Sequence, residues 1–267
     1  MNAPERLLLP DIQSMNDHRG VAIDHAGIRG LRYPVTVVAG QPAAITTVAT
    51  VDMSVGLAAA ERGTHMSRFL EVLGLHAGGI GVATLPYMLR DMLDRLGARQ
   101  GALCLRFEYF IMKNAPVSGV SSLMDYEVCL RAEGGMNACA ISIEVVVPVT
   151  SLCPCSKEIS VYGAHNQRSS VKIVATPALP IEPDDLIAMA ERAASCELYG
   201  LLKRVDEKYV TERAYDNPKF VEDMVRDLAV EMENDMRICS YRVEIENFES
   251  IHNHSAFAVI ERDKRAT

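Results

Sequence analysis

The chain has 267 residues, of which 49% are hydrophobic and 23% are charged, and its formal net charge is −8 at pH 7. This composition is typical of a globular protein, and the length fits one large domain or two domains of about 130 residues each. The acidic balance argues against a nucleic-acid surface, although a local basic patch can still bind an anionic substrate. No apolar run reaches the roughly 18 residues that a transmembrane helix needs, so no membrane partner is expected.

The N-terminal segment and the cysteines indicate where the protein works. Residues 1–30 have an early acid, Glu5, and only a short apolar run, which is unlike a signal peptide. We expect this segment to be irregular, with the first strand beginning at Leu31. The seven cysteines are an odd number, which argues for a reducing cytoplasm rather than a disulfide framework.

Residues 31–133 show strand and helix periodicities in the order strand, strand, helix, helix, strand, strand. The predicted elements of this first unit are Leu31–Ala39, Ala44–Val55, Gly63–Leu73, Ala83–Leu96, Leu103–Met112 and Ser122–Arg131. The second helix places large apolar side chains on one face, at Leu85, Met88, Leu89, Met92, Leu93 and Leu96. A unit boundary is expected next to Glu133, where two glycines follow.

Residues 134–267 repeat that order. The predicted elements are Asn137–Val149, Ser170–Ala175, Pro183–Cys196, Lys219–Met232, Arg237–Asn247 and Ala256–Arg262. Asn217 is the expected N-cap of the second helix, with Pro218 at its first position. The pattern predicts an α+β fold of two tandem ββααββ units, with antiparallel sheets and helices on one face. Open sheet edges favour a barrel built from several copies, with sites between subunits.

The main candidate for a functional site is the stretch VPVTSLCPCSKEISVYGAHNQRSSVK, residues 147–172. Cys153 and Cys155 flank a proline, and His165 follows on the same loop between two strands. Thiolate and imidazole are ligands that zinc and similar divalent metals favour. The loop does not complete a four-ligand cage, so further ligands must come from far along the chain, as in an open catalytic site. The alternative is that these cysteines are small buried hydrophobic residues.

Five residues outside this loop also carry suitable chemistry. Glu207 lies between the two predicted helices of the second unit, and Glu222 lies on the second of them. His252 and His254 lie in the turn between the last two strands, where paired imidazoles can bind metal or carry protons. Arg68 lies near the start of the first helix. Each of these types also occurs at ordinary exposed positions, so none indicates a function by itself.

Four motifs together resemble one enzyme family. They are GTHMSRF at residues 63–69, SLCPCSKEIS at 151–160, YGAHNQRS at 162–169 and NFESIHNHSAFA at 247–258. From about Gly30 to Ile260 the chain is similar to the prokaryotic type IB GTP cyclohydrolases, which have the tunnelling fold. The resemblance implies two ββααββ units per chain, a homotetramer, and conversion of GTP into 7,8-dihydroneopterin triphosphate and formate. That reaction is the entry step of folate biosynthesis and also supplies the precursor of deazapurine-modified tRNA bases.

The resemblance also implies roles for individual residues. Cys153, His165 and Glu207 match metal-ligand positions, and the metal in this family is zinc, manganese or iron. Glu222 matches the acid that anchors the guanine ring. Positions near the reacting centre are matched by Cys155, His252 and His254. The cations inside the motifs, which are candidates for binding the triphosphate, are Arg68, Lys157 and Arg168.

These side chains suit the expected chemistry. A divalent metal lowers the pKa of its bound water toward about 7, which gives a nucleophile for attack on C8 of guanine. Protonation at N7 makes C8 more electrophilic, and an imidazole or thiol can supply that proton. A carboxylate accepts hydrogen bonds from the guanine N1–H and 2-amino groups. His252 and His254 can carry protons in the later steps, which include release of formate and ring closure.

Two other classes stay open at this point. One is a different tunnelling-fold enzyme. A pterin synthase is expected to show a three-histidine metal site, whereas a nitrile reductase uses its cysteine as a covalent nucleophile without a metal. The other class is a non-catalytic oligomer in which Cys153 and His165 hold a structural zinc, which leaves Glu222 and His252 without a task. Metal analysis combined with a GTP turnover assay separates the three hypotheses.

Overall fold

The computed structural model describes residues 11–13, 15–38 and 44–266. Its strands are β1 Ile23–Val37, β2 Ile45–Leu57, β3 Gln100–Asn114, β4 Ser121–Gly135, β5 Cys139–Leu152, β6 Asn166–Pro177, β7 Cys196–Glu197, β8 Ile238–Asn247 and β9 Ala256–Asp263. Its helices are α1 Met66–His76, α2 Leu85–Leu96, α3 Pro154–Ile159, α4 Pro183–Ala193, α5 Arg204–Asp216 and α6 Val221–Asn234, with a 3₁₀ turn at Lys264–Ala266. No helix among the described residues is long and apolar enough to cross a membrane.

Eight strands form one open sheet in the order β1-β2-β3-β4-β5-β6-β8-β9, and β7 pairs with β5 beside that path. Every pair of neighbouring strands is antiparallel. The two halves of the chain meet in the β4–β5 hairpin, where Gly134 pairs with Cys139. This confirms the predicted α+β class and the ββααββ order, to which the second half adds α3, β7 and α5. The described strands do not close into a barrel within one chain.

The hydrophobic core lies between the sheet and the helices, because alternate residues of each strand point to the same face. On β3, for example, Leu103 and Leu105 are buried while Arg106 is exposed. The predicted apolar face of α2 is buried at Leu85, Met88, Leu89, Met92 and Leu93. The face of α6 that packs in the second half is buried at Val221, Met224, Val225, Leu228, Ala229 and Met232. Both helices are therefore held by packing on one side.

The other face of the sheet is polar. Arg106 of β3 pairs with Asp52 of β2 at 3.0 Å. Further along, Glu144 of β5 lies 2.9 Å from Arg131 of β4 and 3.0 Å from Lys172 of β6. These side chains lie on adjacent strands, so the charges compensate one another across the sheet.

The first strand starts earlier than expected. β1 begins at Ile23, which pairs with Leu57, so part of the segment that was expected to be irregular is strand. The pairing shifts register twice, between Ile23 and Ala26 and again between Ile28 and Leu31, and Gly30 has a φ of 70°. These irregularities interrupt the alternation of apolar residues on which the prediction depended. Residues 1–10 and Ala39, the expected end of this strand, lie outside the described residues.

The second half contains a helix that was not predicted. Glu207, expected between two helices, lies in the first turn of α5, Arg204–Asp216. Only Asp206 and Ala214 are buried along α5, so it lacks the apolar stripe that reveals a helix. The N-cap prediction was wrong as well. Asn217 is the C-cap of α5, and the N-cap of α6 is Phe220.

Candidate active site

The cysteine loop is built from the ends of β5 and β6 and the short helix α3. Cys153 follows the last residue of β5 and is the N-cap of α3, and its thiol accepts a hydrogen bond from the Ser156 amide at 3.4 Å. The Cys153 amide donates to the carbonyl of His165 at 3.1 Å. The predicted pair therefore lies side by side where β5 and β6 separate. Cys155 is exposed on α3.

Two side chains contact the same imidazole nitrogen of His165. Its Nδ1 lies 3.1 Å from Oε1 of Gln167 and 3.2 Å from the hydroxyl of Ser250. Ser250 belongs to the β8–β9 turn, which also carries His252 and His254. The rings of these two exposed histidines stack, with centroids 5.2 Å apart and planes inclined by 21°. The structure thus brings the cysteine loop and the histidine turn together.

Cys153 and Glu222 line one small cavity of about 190 Å³. Its other polar lining residues are Gln167, Lys219, Asn247 and Glu249. Glu222 is exposed in the first turn of α6, and the amide of Lys219 donates to the carbonyl of Leu152 at 3.0 Å. That bond fixes the start of α6 beside Cys153. Larger cavities exist, including one of about 1300 Å³ between β1 and the β4–β5 turn, but no predicted site residue lines them.

Four polar residues of this cavity were not identified as site residues from the sequence. One is Lys219, and the other three are Gln167, Asn247 and Glu249. These last three stand inside the quoted motifs, YGAHNQRS and NFESIHNHSAFA. Glu249 adds a half-buried carboxylate beside Cys153. The two amides are almost fully buried, with 8% of Gln167 and 2% of Asn247 exposed. Their position within a motif was the available signal, because a neutral amide carries no charge or metal-ligand signature.

Glu207 does not join Cys153 and His165 within one chain. Among the described residues no three His, Cys, Asp or Glu side chains are arranged to hold a metal ion. The opposite end of α5 contacts the cysteine loop, where Lys157 donates to the carbonyl of Tyr215 and lies 4.3 Å from its ring centroid. Glu207 precedes Tyr215 by two helical turns, a separation of about 12 Å along the axis. Its carboxylate is exposed.

The position of Glu207 is fixed by its neighbour Asp206, which is fully buried. The Asp206 carboxylate accepts hydrogen bonds from the amides of Val117 and Ser118 at 2.9 and 2.8 Å, and from the Lys203 amide at 2.8 Å. The Ser118 hydroxyl adds a bond of 2.6 Å. Burial opposes the charged form, but these hydrogen bonds outweigh it and hold the pKa of Asp206 well below its usual range. The carboxylate thereby attaches α5 to the β3–β4 turn.

The three cations considered for the triphosphate lie apart from the cavity. Arg68 donates to the carbonyl of Arg95 at 2.9 Å, at the end of α2 in the first half. Lys157 is engaged by Tyr215, and Arg168 is exposed on β6. None of them lines the cavity beside Cys153.

The residues present fit a divalent metal. The thiol of Cys153 and the imidazole of His165 are borderline-soft donors, and the carboxylate of Glu249 lines the cavity beside Cys153 without completing a three-ligand set among the described residues. Because Gln167 and Ser250 engage Nδ1 of His165, its Nε2 is the ring nitrogen left for a ligand bond.

Comparison with known proteins gives one answer for the whole chain. Residues 9–258 match the family model described as type I GTP cyclohydrolase folE2. GTP cyclohydrolase FolE2 of Azoarcus sp. (strain BH72) is 55% identical over 268 residues, covering 99% of each chain. The Methylobacillus flagellatus protein of the same name is 54% identical over 265 residues, covering 99% of this chain and all of the relative.

Solved structures show the fold alone. The uricase from Arthrobacter globiformis superposes with a TM-score of 0.52 at 10% identity, over 91% of this chain and 94% of that one. Urate oxidase from Bacillus sp. TB-90 gives 0.50 at 10% identity, over 90% of this chain and all of the other. These neighbours confirm the tunnelling fold that the motifs implied. By the family model and the full-length identity, the chain belongs to the type I GTP cyclohydrolase FolE2 family.

Proposed function

We propose that this protein is a metal-dependent GTP cyclohydrolase I, which opens the imidazole ring of GTP and yields 7,8-dihydroneopterin triphosphate and formate in folate biosynthesis. The observation that carries the proposal is the cavity that joins Cys153 to Glu222. A metal-binding thiol and a purine-anchoring carboxylate in one cavity fit the hydrolysis of a guanine ring. Family membership over nearly the full length supports the same activity.

The guanine ring is anchored by Glu222. Its carboxylate stands in the first turn of α6, where the helix N-terminus favours negative charge. An ionised carboxylate accepts from N1–H and the 2-amino group at the same time, which fixes the ring in one orientation. The rest of the ring then points toward the cysteine loop, because Cys153 lines the same cavity.

Cys153 and His165 hold the divalent metal, for which zinc, manganese and iron are the candidates. The chemistry that a bound metal supplies is activation of a water for attack on C8. His252 and His254 carry protons to and from the ring. They are exposed, they stack on each other, and Ser250 links their turn to His165. Cys155, on α3, is a further proton donor near the reacting centre. Arg68, Lys157 and Arg168 are the candidates for binding the triphosphate.

The third ligand, Glu207, comes from another copy of the chain in a homotetramer. Glu207 stands about 12 Å along α5 from the end that contacts the cysteine loop, and that loop exposes apolar side chains at Ile159, Val161 and Tyr162. The edges of the open sheet, β1 and β9, also need partners. Each copy contributes two ββααββ units to the oligomer, residues 31–133 and 134–267. The seven free cysteines support a reducing compartment, the cytoplasm.

Mixed oligomers test both the function and the shared site. Cys153→Ala and Glu207→Gln should each abolish formation of the pterin product, followed by its fluorescence after oxidation. Co-expressed in equal amounts, the two variants should recover activity at about a quarter of the sites, because half of the chains contribute each intact residue. Cys153→Ala mixed with His165→Ala is the control and should stay inactive, since both residues belong to one chain's loop. Wild-type protein without GTP turnover would overturn the function, and recovery in the control mixture would overturn the shared site.

A further inference from the structure

Four buried polar side chains form one hydrogen-bonded chain across β5, β6 and β8. Nε2 of Gln167 donates to the hydroxyl of Ser151 at 2.8 Å, and the Ser151 and Ser169 hydroxyls are 2.9 Å apart. The Ser169 hydroxyl lies 2.7 Å from Oδ1 of Asn247. At most 8% of each residue is exposed. Burying four polar side chains is unfavourable unless they are hydrogen-bonded, so a series of this kind suggests a functional role.

The residues at the two ends of this hydrogen-bond series indicate what the role is. One end reaches His165, whose Nδ1 lies 3.1 Å from Oε1 of Gln167. The other end is Asn247, which lines the cavity together with Cys153 and Glu222. The Nδ2 group of Asn247 has no hydrogen-bond partner among the described side chains and backbone groups. The series of hydrogen bonds therefore connects His165, at the proposed metal site, with the Nδ2 group of Asn247 at the proposed purine site.

Each serine hydroxyl has a single proton to donate, so two arrangements use every hydroxyl proton within this series of bonds. In the first, His165 donates from Nδ1 to Gln167, and each successive group donates onward until Oδ1 of Asn247 accepts. The N–H groups of Asn247 then face the cavity. In the second arrangement every bond is reversed, the imidazole proton sits on Nε2, and Oδ1 of Asn247 faces the cavity. The amides of the structure, with Nε2 of Gln167 toward Ser151 and Oδ1 of Asn247 toward Ser169, are oriented as in the first arrangement.

We propose that this chain is a relay that sets which group Asn247 presents to the purine, according to how His165 is used. When Nε2 of His165 ligates a metal, its proton must be on Nδ1, which favours the first arrangement because only that one then uses every hydroxyl proton. Asn247 then offers an N–H donor to an acceptor atom of the guanine ring, opposite the donors that Glu222 binds. Gln167 is a positioning residue, and Asn247 is a specificity-determining binding residue. The inference rests on the proposed guanine site.

Substitution of Gln167 separates the relay from simple packing. Gln167→Leu removes the nearer of the two acceptors beside Nδ1–H and leaves only the Ser250 hydroxyl. Metal affinity, measured by competition with a chelator, should therefore fall about 10- to 100-fold. Gln167→Glu keeps an acceptor there, so metal affinity should stay near that of the wild type. The introduced carboxylate accepts from the Ser151 hydroxyl and thus reverses the remaining bonds. GTP should therefore bind roughly tenfold to hundredfold more weakly to Gln167→Glu, although Asn247 itself is unchanged.

The second part of the experiment is a substitution of Asn247, which lines the cavity itself. Asn247→Asp still accepts from Ser169 but presents no N–H, so it should retain metal and lose GTP affinity by a similar factor. GTP binding is measured by calorimetry at low temperature in the metal-loaded Cys155→Ala background, and thermal unfolding checks that each variant folds. The relay is overturned if Gln167→Glu loses metal as Gln167→Leu does, or if it binds GTP as the wild type does. Absence of metal and GTP binding in the wild type would instead refute the proposed function.

Discussion

Glu222→Gln tests the guanine anchor in isolation from the metal. The substitution keeps the shape of the side chain but turns one of its two acceptors into a donor, which then faces an N–H of guanine. Glu222 is exposed without substrate and lines the cavity beside Cys153, so the carboxylate loses its water only when the ring is bound. A charge-assisted hydrogen bond of this kind contributes about 1.5–3 kcal/mol. The expected loss in kcat/KM is therefore about 10- to 150-fold.

The assay pairs GTP kinetics with the metal content of the same preparation. Glu222→Gln should retain its metal, whereas Glu207→Gln should lose metal as well as activity. Glu231→Gln, on the same helix and paired with the exposed Arg192, is the matched control and should behave as the wild type. Wild-type kinetics for Glu222→Gln would show that the carboxylate is an ordinary surface residue. Equal loss of metal in the Glu222 and Glu207 variants would refute their separate roles.

Three further outcomes are expected. Asp206→Asn should lower the thermal unfolding temperature at neutral pH. Its folded-state pKa is depressed, so the stability it contributes is present above the unfolded pKa of about 4 and is lost as the pH falls through the folded value; unchanged unfolding at pH 7 and pH 3 would contradict this. The Cys129 thiol and nearby Arg106 and Arg131 hold the pKa of Cys104 below its ordinary value, and Cys104 is less buried than Cys129. Iodoacetamide at pH 7 should therefore alkylate Cys104 before Cys129, as peptide mass spectrometry will report. Sedimentation should show a tetramer, and an active monomer would exclude shared sites.

Elements with an uninterrupted period were predictable from sequence. α2 keeps apolar side chains at helical spacing from Leu85 to Leu93, and the structure buries that face. β1 was recognised only from Leu31 onward, although it begins at Ile23. The missing part contains Gly27, where an added Cβ would lie 1.9 Å from the carbonyl oxygen of Met53. A strand that approaches its neighbour so closely must interrupt its apolar alternation with glycine, and that hides it from a periodicity argument.

α5 escaped prediction for a different reason. Its position is set by the buried carboxylate of Asp206 and by an ion pair of 2.7 Å between Arg213 and Glu197, rather than by an apolar stripe. Polar attachments of this kind depend on partners far away in sequence, here Ser118 in the β3–β4 turn. Periodicity is a local property, so it cannot detect a helix whose anchors are distant and charged.

The residues of the candidate site also fall into those that could be identified from the sequence and those that could not. Cys153 and His165 could be selected from residue type, because thiol and imidazole are groups that bind metals, whereas the role of Glu222 came from the family resemblance. Gln167 and Asn247 could not be selected, since a neutral amide acts through the direction of its hydrogen bonds, and that direction depends on what stands at the other end. In this protein the other end is His165, which is four hydrogen bonds away from Asn247. A residue of that kind becomes recognisable only when the whole bonded chain is known, and its effect should then appear at a site that the substituted side chain never touches.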